Sequence, residues 1–139
     1  MPPSLRTVWT ALIQPADYDA HMAAIGQAQT NAAHLQHFLH LIEPPPEARL
    51  LIAGAGTGQL FDYLSPGALA PANPLFTDIN PAFLAALRLR HPQAVCLADD
   101  LENTALRAPF HAAFCALVLE HIHWQRGLDS LLSLSPRFL

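Results

Sequence analysis

The sequence predicts an α/β fold, a parallel sheet with helices on both faces. Three observations point there. Short apolar runs alternate with segments of helical periodicity from about Arg49 to the end of the chain. The run Leu50-Leu51-Ile52 does not alternate with polar residues, as expected for a strand covered on both faces. It leads directly into the glycine-rich turn Gly54-Ala55-Gly56-Thr57-Gly58.

Taken in order, residues 1–14 are an indistinct leader. From about Ala16 to Ile42 one amphipathic helix is expected, with Met22, Ile25, Ala28, Ala32, Leu35, Leu39 and Ile42 recurring at steps of three and four. Pro44-Pro45-Pro46 ends it, since proline lacks an amide donor and disfavours helix before it. Arg49 to Ala53 is the first strand, and a helix starts over Gln59 to Leu64. Ser65-Pro66-Gly67 breaks that helix. Pro74 to Thr77 is the second strand, ending at Asp78. Asn80 is a good N-cap and Pro81 a good first helical residue for a helix to about His91. Ala94 to Leu97 is a third strand, ending at Asp99-Asp100. Ala112 to Val118 is a long apolar fourth strand, and about Gln125 to Leu134 a closing helix. The chain reads as a single domain, 1–139, with a helical arm over 1–47 and an α/β body over 48–139.

Composition narrows the function. The chain of 139 residues is 52% hydrophobic, with a formal net charge of -4. Its seven basic residues are all arginines, scattered from Arg6 to Arg137, so no basic patch offers phosphate neutralisation, and nucleic acid is not expected as a partner. The uncharged stretch Ala20 to Ile42 carries too many glutamines and histidines for a membrane span, and no signal peptide is apparent. A cytoplasmic location is the expectation. Cys96 and Cys115 are isolated and read as reduced thiols.

The glycine turn is the first functional signal. Glycines there let a ligand approach the main chain, and a helix N-terminus offers unpaired amides and a positive dipole end. A dinucleotide fold wants Gly-x-Gly-x-x-Gly, and Gln59 stands at its third glycine position. The spacing here is Gly-x-Gly-x-Gly. Asp78 follows 24 residues after Gly54, at a strand end, where a carboxylate can accept from both hydroxyls of a ribose. The same aspartate can also serve the helix that begins at Pro81. Asp99-Asp100 ends the third strand, placed to meet an adenine amino group or solvent.

Together with the segment Phe110-His111-Ala112-Ala113-Phe114-Cys115-Ala116-Leu117-Val118-Leu119-Glu120-His121-Ile122, these signals resemble the class I S-adenosylmethionine-dependent methyltransferases over about residues 48–124. The resemblance implies a Rossmann-like sheet in strand order 3-2-1-4. It implies S-adenosylmethionine as cofactor, with Gly54, Ala55, Gly56 and Gly58 along its methionine and ribose part and Asp78 on the ribose. Ile79 would pack on adenine, Asp99 and Asp100 would meet the adenine edge, and Cys115, Ala116 and Leu117 would face the cofactor from the fourth strand. Two positions depart from the family pattern. Ala53 stands where an acidic residue usually lies near the methionine amine, and His111 stands where an aspartate usually follows Phe110.

The resemblance also implies strands beyond the fourth, so the chain reads as a truncated or impaired methyltransferase of unknown acceptor. The alternative is a non-catalytic binding or interaction module derived from that fold; a nicotinamide-dependent oxidoreductase is disfavoured by Gln59. With the fourth strand as an uncharged edge from Ala112 to Leu119, self-association through it is expected. A small-molecule acceptor is favoured by the lack of a basic face. Methyl transfer from a sulfonium needs an oriented acceptor and, for a hydroxyl or ammonium, a base; Glu120 and His121 are the candidates. Tyr18, Asp19 and His21 could close over the cofactor. His34, His37 and His40 lie about 60° apart on a helical wheel, and His121 and His123 flank Ile122. Both sets read as solvated polar groups, and no metal is expected.

Overall fold

The computed structural model of the chain describes residues 2–70, 72–134 and 136–139. Four parallel strands make one sheet: β1 (Arg49–Ala53), β2 (Asn73–Asp78), β3 (Val95–Ala98) and β4 (Ala112–Cys115). Their spatial order is β3-β2-β1-β4, the order the resemblance implied.

The alternation of side chains along β1 divides the core. Leu50 and Ile52 point to one face, where they meet Leu35 and Leu39 of α3 (Gln27–Ile42) and Leu84 and Leu87 of α4 (Pro81–Arg90). Leu51 and Ala53 point to the other, against Phe110 and against Leu131 of α5 (Trp124–Ser133). These four of the five β1 side chains are at most 3% exposed. Each leucine or isoleucine so buried contributes roughly 1.5–3 kcal/mol, which explains an apolar run without alternation. Asn80 caps α4 as expected, its Oδ1 accepting from the amides of Ala82 (2.9 Å) and Phe83 (3.4 Å).

The N-terminal arm differs from the expected single helix. It divides into α2 (Pro15–Ala24) and α3, with Gly26 between them at φ +67°. That left-handed angle suits glycine and no β-carbon-bearing neighbour, so the amphipathic stripe continues in sequence while the axis turns. Ile25, counted in the stripe, is 58% exposed at the corner. The leader is ordered too. Ser4 caps a short turn, α1 (Leu5–Thr7), which runs into one π-helical stretch, Val8–Leu12.

Two further elements are shorter than expected. Gln59–Tyr63 is a 3₁₀ helix, and β4 stops at Cys115 rather than Val118. Leu117 takes φ +58°, which turns the chain out of the strand and into a 3₁₀ turn at Leu119–His121. The outer edge of β4 is also partly paired. The Ala113 amide donates to the Phe138 carbonyl (3.0 Å), and the Arg137 amide to that of His111 (2.9 Å). The uncharged stretch from Ala112 to Leu119 is therefore not one open edge. Cys96 on β3 and Cys115 on β4 lie on strands at opposite sides of the sheet, both thiols free. No helix among the described residues is long and apolar enough to cross a membrane.

Candidate functional site

A cavity of about 720 Å³ opens at the carboxyl ends of β1, β2 and β4 and beneath the N-terminal arm. This is where open parallel sheets bind ligands, because the chain reverses direction between the strands on either side of β1. The volume lies within the usual range for small-molecule sites.

The glycine loop forms its floor. Gly54 and Gly56 have φ +66° and +59°. A β-carbon on Gly54 would stand 2.1 Å from Val118 Cγ2, and one on Gly56 would stand 3.1 Å from Tyr18 Oη. Main chain is thus all that fits between these side chains. The Ala55 amide donates to the Thr77 carbonyl (2.8 Å), tying the loop to β2. Gly58 does a different job. It packs against α4, where a β-carbon would approach Leu87 Cγ to 2.8 Å, and it is not part of the cavity wall.

Asp78 lies beside the loop. Its Oδ2 accepts from the Gly56 amide and its Oδ1 from the Asn80 amide, both at 2.9 Å. Burial pushes its pKa above the ordinary carboxylate value, while the backbone donors of Asn80, Gly56 and Ile79 oppose that shift. A carboxylate has about four acceptor directions. Its backbone donors use part of that capacity, and the remainder is open to a ligand hydroxyl.

Asp99 and Asp100 also line the cavity, but their carboxylates are engaged. Asp99 accepts from Thr104 Oγ1 (2.8 Å) and the Ala105 amide (2.9 Å). Asp100 caps the 3₁₀ turn Leu101–Asn103 through the Glu102 amide (3.1 Å) and pairs with Arg6 at 2.7 Å. Ile79 completes this end. At the β4 end the wall contains Ala116, Leu117, Glu120 and His121. Glu120 is exposed, and its Oε1 lies 4.0 Å from His121 Nε2. Cys115 stays behind the wall; burial first, then the charge of Glu120, pushes its thiol up to about 12.

Arg6 and Trp9 of the leader line the cavity without a sequence signal; Tyr18 and His21, singled out in the sequence, line it too, and Asp19 does not. Trp9, in the supposed leader, puts its ring 4.6 Å from that of His121 and 6.4 Å edge-on from that of Tyr18. Tyr18 in turn stacks on Phe83 of α4 at 4.8 Å; burial, then the charges of Asp78 and Asp19, raises its hydroxyl to about 12. One residue on, Asp19 accepts from Thr57 Oγ1 and pairs with Arg90 at 3.1 Å. Arg90 also donates to the Thr57 carbonyl (3.0 Å). This cluster fastens α2 to the glycine loop. For the leader's part of the wall, a tryptophan and an arginine were the only hints, and neither carries periodicity. His34, His37 and His40 are exposed on α3, away from the cavity wall. Among the described residues no group of three or more His, Cys, Asp or Glu is placed to hold a metal.

Two observations fit the wall to S-adenosylmethionine. Glycine main chain forms the floor, and Asp78 beside it keeps acceptor capacity for a hydroxyl. Comparison with known proteins agrees on the fold. No family model matches the chain. A magnesium protoporphyrin IX methyltransferase from Synechocystis, solved with bound S-adenosylhomocysteine, superposes with a TM-score of 0.64 at 19% identity, covering 93% of this chain and 59% of its own. A putative methyltransferase of Haloferax volcanii, solved with a Trm112 activator, gives 0.67 at 11% identity over 96% of this chain and 56% of its own. An amino pentose methyltransferase from Micromonospora echinaspora with S-adenosylmethionine bound gives 0.62 at 23% identity over 82% and 49%. In sequence, 66 residues are 44% identical to a highly reducing polyketide synthase of Emericella nidulans, 42% of this chain and 2% of that protein. The chain has the class I S-adenosylmethionine-dependent methyltransferase fold, and it spans about half the length of the solved structures it matches.

Proposed function

We propose that the chain forms the cofactor-binding part of an S-adenosylmethionine-dependent methyltransferase acting on a small molecule. The observation that carries this reading is the pairing of the Gly56 amide with the Asp78 carboxylate at the floor of one cavity. Gly54, Ala55 and Gly56 would bring main chain against the methionine and ribose part. Asp78 would accept from the ribose hydroxyls with the acceptor directions its backbone partners leave free. Ile79 would pack on the adenine, and the strand end at Asp99-Asp100 would meet its edge. The bound cofactor would supply an electrophilic methyl group on a sulfonium.

The remaining work falls to the wall at the end of β4. Glu120 and His121 stand where they could take a proton from an acceptor hydroxyl or ammonium. Trp9, stacked on His121, and Tyr18, over Gly56, would limit water there and hold the acceptor in line. Neighbours whose names state an acceptor act on an amino pentose, a sugar nitrogen or magnesium protoporphyrin IX. All three are small molecules, which supports that class here. Ala53, in place of the usual carboxylate, leaves the cofactor's amine without that partner and favours a second reading, a non-catalytic binding or interaction module derived from the fold.

Titration calorimetry with S-adenosylmethionine, S-adenosylhomocysteine and NAD tests the proposal. Binding of the two sulfur nucleosides and not of NAD is expected. Binding of NAD alone would overturn it. Binding without methyl transfer to any amine or hydroxyl acceptor offered would support the second reading.

A further inference from the structure

The cavity extends past the glycine floor toward β4, under the corner where α2 turns into α3. Ala32 of α3 packs in the core with Ile52, and Phe114 of β4 packs against the same cluster. Ala28 lies one turn nearer the N-terminus of α3 on the same face, and there it lines the cavity. Met22 and Ile25 line it from the arm, and Phe114 and Leu117 from the β4 side. Leu117 holds φ +58° and is 46% exposed. A bulky side chain at that angle is strained, and such strain collects at ligand sites.

One polar pair interrupts this apolar wall. Gln27 Nε2 donates to Asn31 Oδ1 at 2.9 Å, and both residues line the cavity. Gln27 Oε1 and Asn31 Nδ2 have no partner among the described residues, and both keep open surface. Exchanging oxygen and nitrogen in both amides reverses the bond but still leaves one acceptor and one amino group. A free amino group of this kind suits a carbonyl oxygen. Nothing in the wall suits an anion. Arg6 is the one arginine or lysine among the described lining residues, and it is paired with Asp100 at 2.7 Å. Asp17, Asp78, Asp99, Asp100, Glu102 and Glu120 line the same cavity and would repel a carboxylate or phosphate.

We propose that this end of the cavity holds the body of the methyl acceptor, an uncharged compound with an apolar chain and a carbonyl group that the Gln27–Asn31 pair receives. The proposal rests on the cofactor reading, which gives the floor at Gly54–Gly56 and Asp78 to the nucleoside.

The test is calorimetry on the full chain saturated with S-adenosylhomocysteine. The probes are methyl hexanoate, methyl octanoate, octanoate, octylamine and 1-methoxyoctane. Methyl octanoate should bind about three- to tenfold more tightly than methyl hexanoate, because two more methylenes are buried. It should also exceed octanoate at least about tenfold, and exceed octylamine. Ile25→Asn alters a corner residue that is 58% exposed, so the fold should persist. It should weaken both esters about three- to tenfold. Asn31→Leu should weaken methyl octanoate about fivefold and spare 1-methoxyoctane, a matching ether without the carbonyl. A pocket that had merely collapsed would lose both. No ester binding, tighter binding of octanoate or octylamine, or equal losses of ester and ether in Asn31→Leu would overturn the proposal and leave the cofactor reading standing. If the natural chain binds no S-adenosylhomocysteine, the cofactor reading itself falls and takes the acceptor assignment with it.

Discussion

Replacing Gly54 by alanine probes the contact that fixes the cavity floor. Two costs add. The residue holds φ +66°, which a β-carbon disfavours by about 1–2 kcal/mol. The new methyl would also start 2.1 Å from Val118 Cγ2, so the turn after β4 must move, a kind of overpacking worth about 1–3 kcal/mol. The expected loss is therefore about 2–5 kcal/mol in urea denaturation, read as a lower midpoint at unchanged slope. The two costs can be separated. Val118→Ala alone should cost about 1 kcal/mol, but in the Gly54→Ala background it removes the collision and leaves only the backbone strain. The double variant should then be more stable than the sum of the single losses predicts, by about 1–3 kcal/mol. Additivity within about 0.5 kcal/mol would refute the contact, and a Gly54→Ala loss below about 1 kcal/mol would refute the strained turn as well.

Asp78→Asn should weaken S-adenosylhomocysteine by about 1.5–3 kcal/mol, since a charged acceptor of ribose hydroxyls is lost. Burial raises the folded-state pKa of Asp78, so the folded chain holds that proton more tightly than the unfolded one. Its contribution to stability is present at acid pH and fades as pH rises through the folded pKa. The stability difference between the natural chain and Asp78→Asn, followed by urea melts across pH, should fall with rising pH; a rise would contradict the buried carboxyl. Affinity for the cofactor, which needs the ionised form, should run the opposite way. Arg90→Ala should cost only about 1 kcal/mol, because its pairs with Asp19 and Asp62 are partly exposed. It should nonetheless speed amide hydrogen exchange across Pro15–Ala24, and unchanged exchange there would show that Arg90 does not fasten α2. In a Cys96→Ser background, Cys115 should react with a thiol reagent at pH 8 about a thousandfold more slowly than an ordinary cysteine, because a pKa of about 12 leaves so little thiolate. Rapid reaction before unfolding would place that thiol in water.

The sheet was legible because its signals are local. Leu50 to Ile52, Asn80-Pro81 and the strand-ending aspartates each declare their element within a few residues. The strand order came from the resemblance, which no periodicity supplies. The arm was less legible for a physical reason. Gly26 sits inside an unbroken apolar stripe, and a lone glycine there reads as a weak helix residue rather than as a corner. The end of β4 failed similarly. Ala116 to Val118 are apolar whether they extend the strand or turn away at a left-handed Leu117. In the site, Asp78 could be placed by its distance from the glycines. Trp9, Arg6 and Arg90 could not, since their partners His121, Asp100 and Asp19 are remote in sequence and meet them only after folding.

The segment carrying Arg6 and Trp9 touches both banks of the cavity, at Asp100 on one side and His121 on the other. A ligand that enters between those two contacts competes with them. Its measured affinity is then the product of two equilibria, opening and docking. Were the segment lifted in on the order of one molecule in a hundred, the apparent dissociation constant would be about a hundredfold weaker than the pocket's own. Added salt weakens the exposed Arg6 pair and so favours opening, even as it leaves the floor of the pocket untouched. Binding to this chain should therefore tighten, rather than weaken, over the range of ionic strength that loosens its first turn.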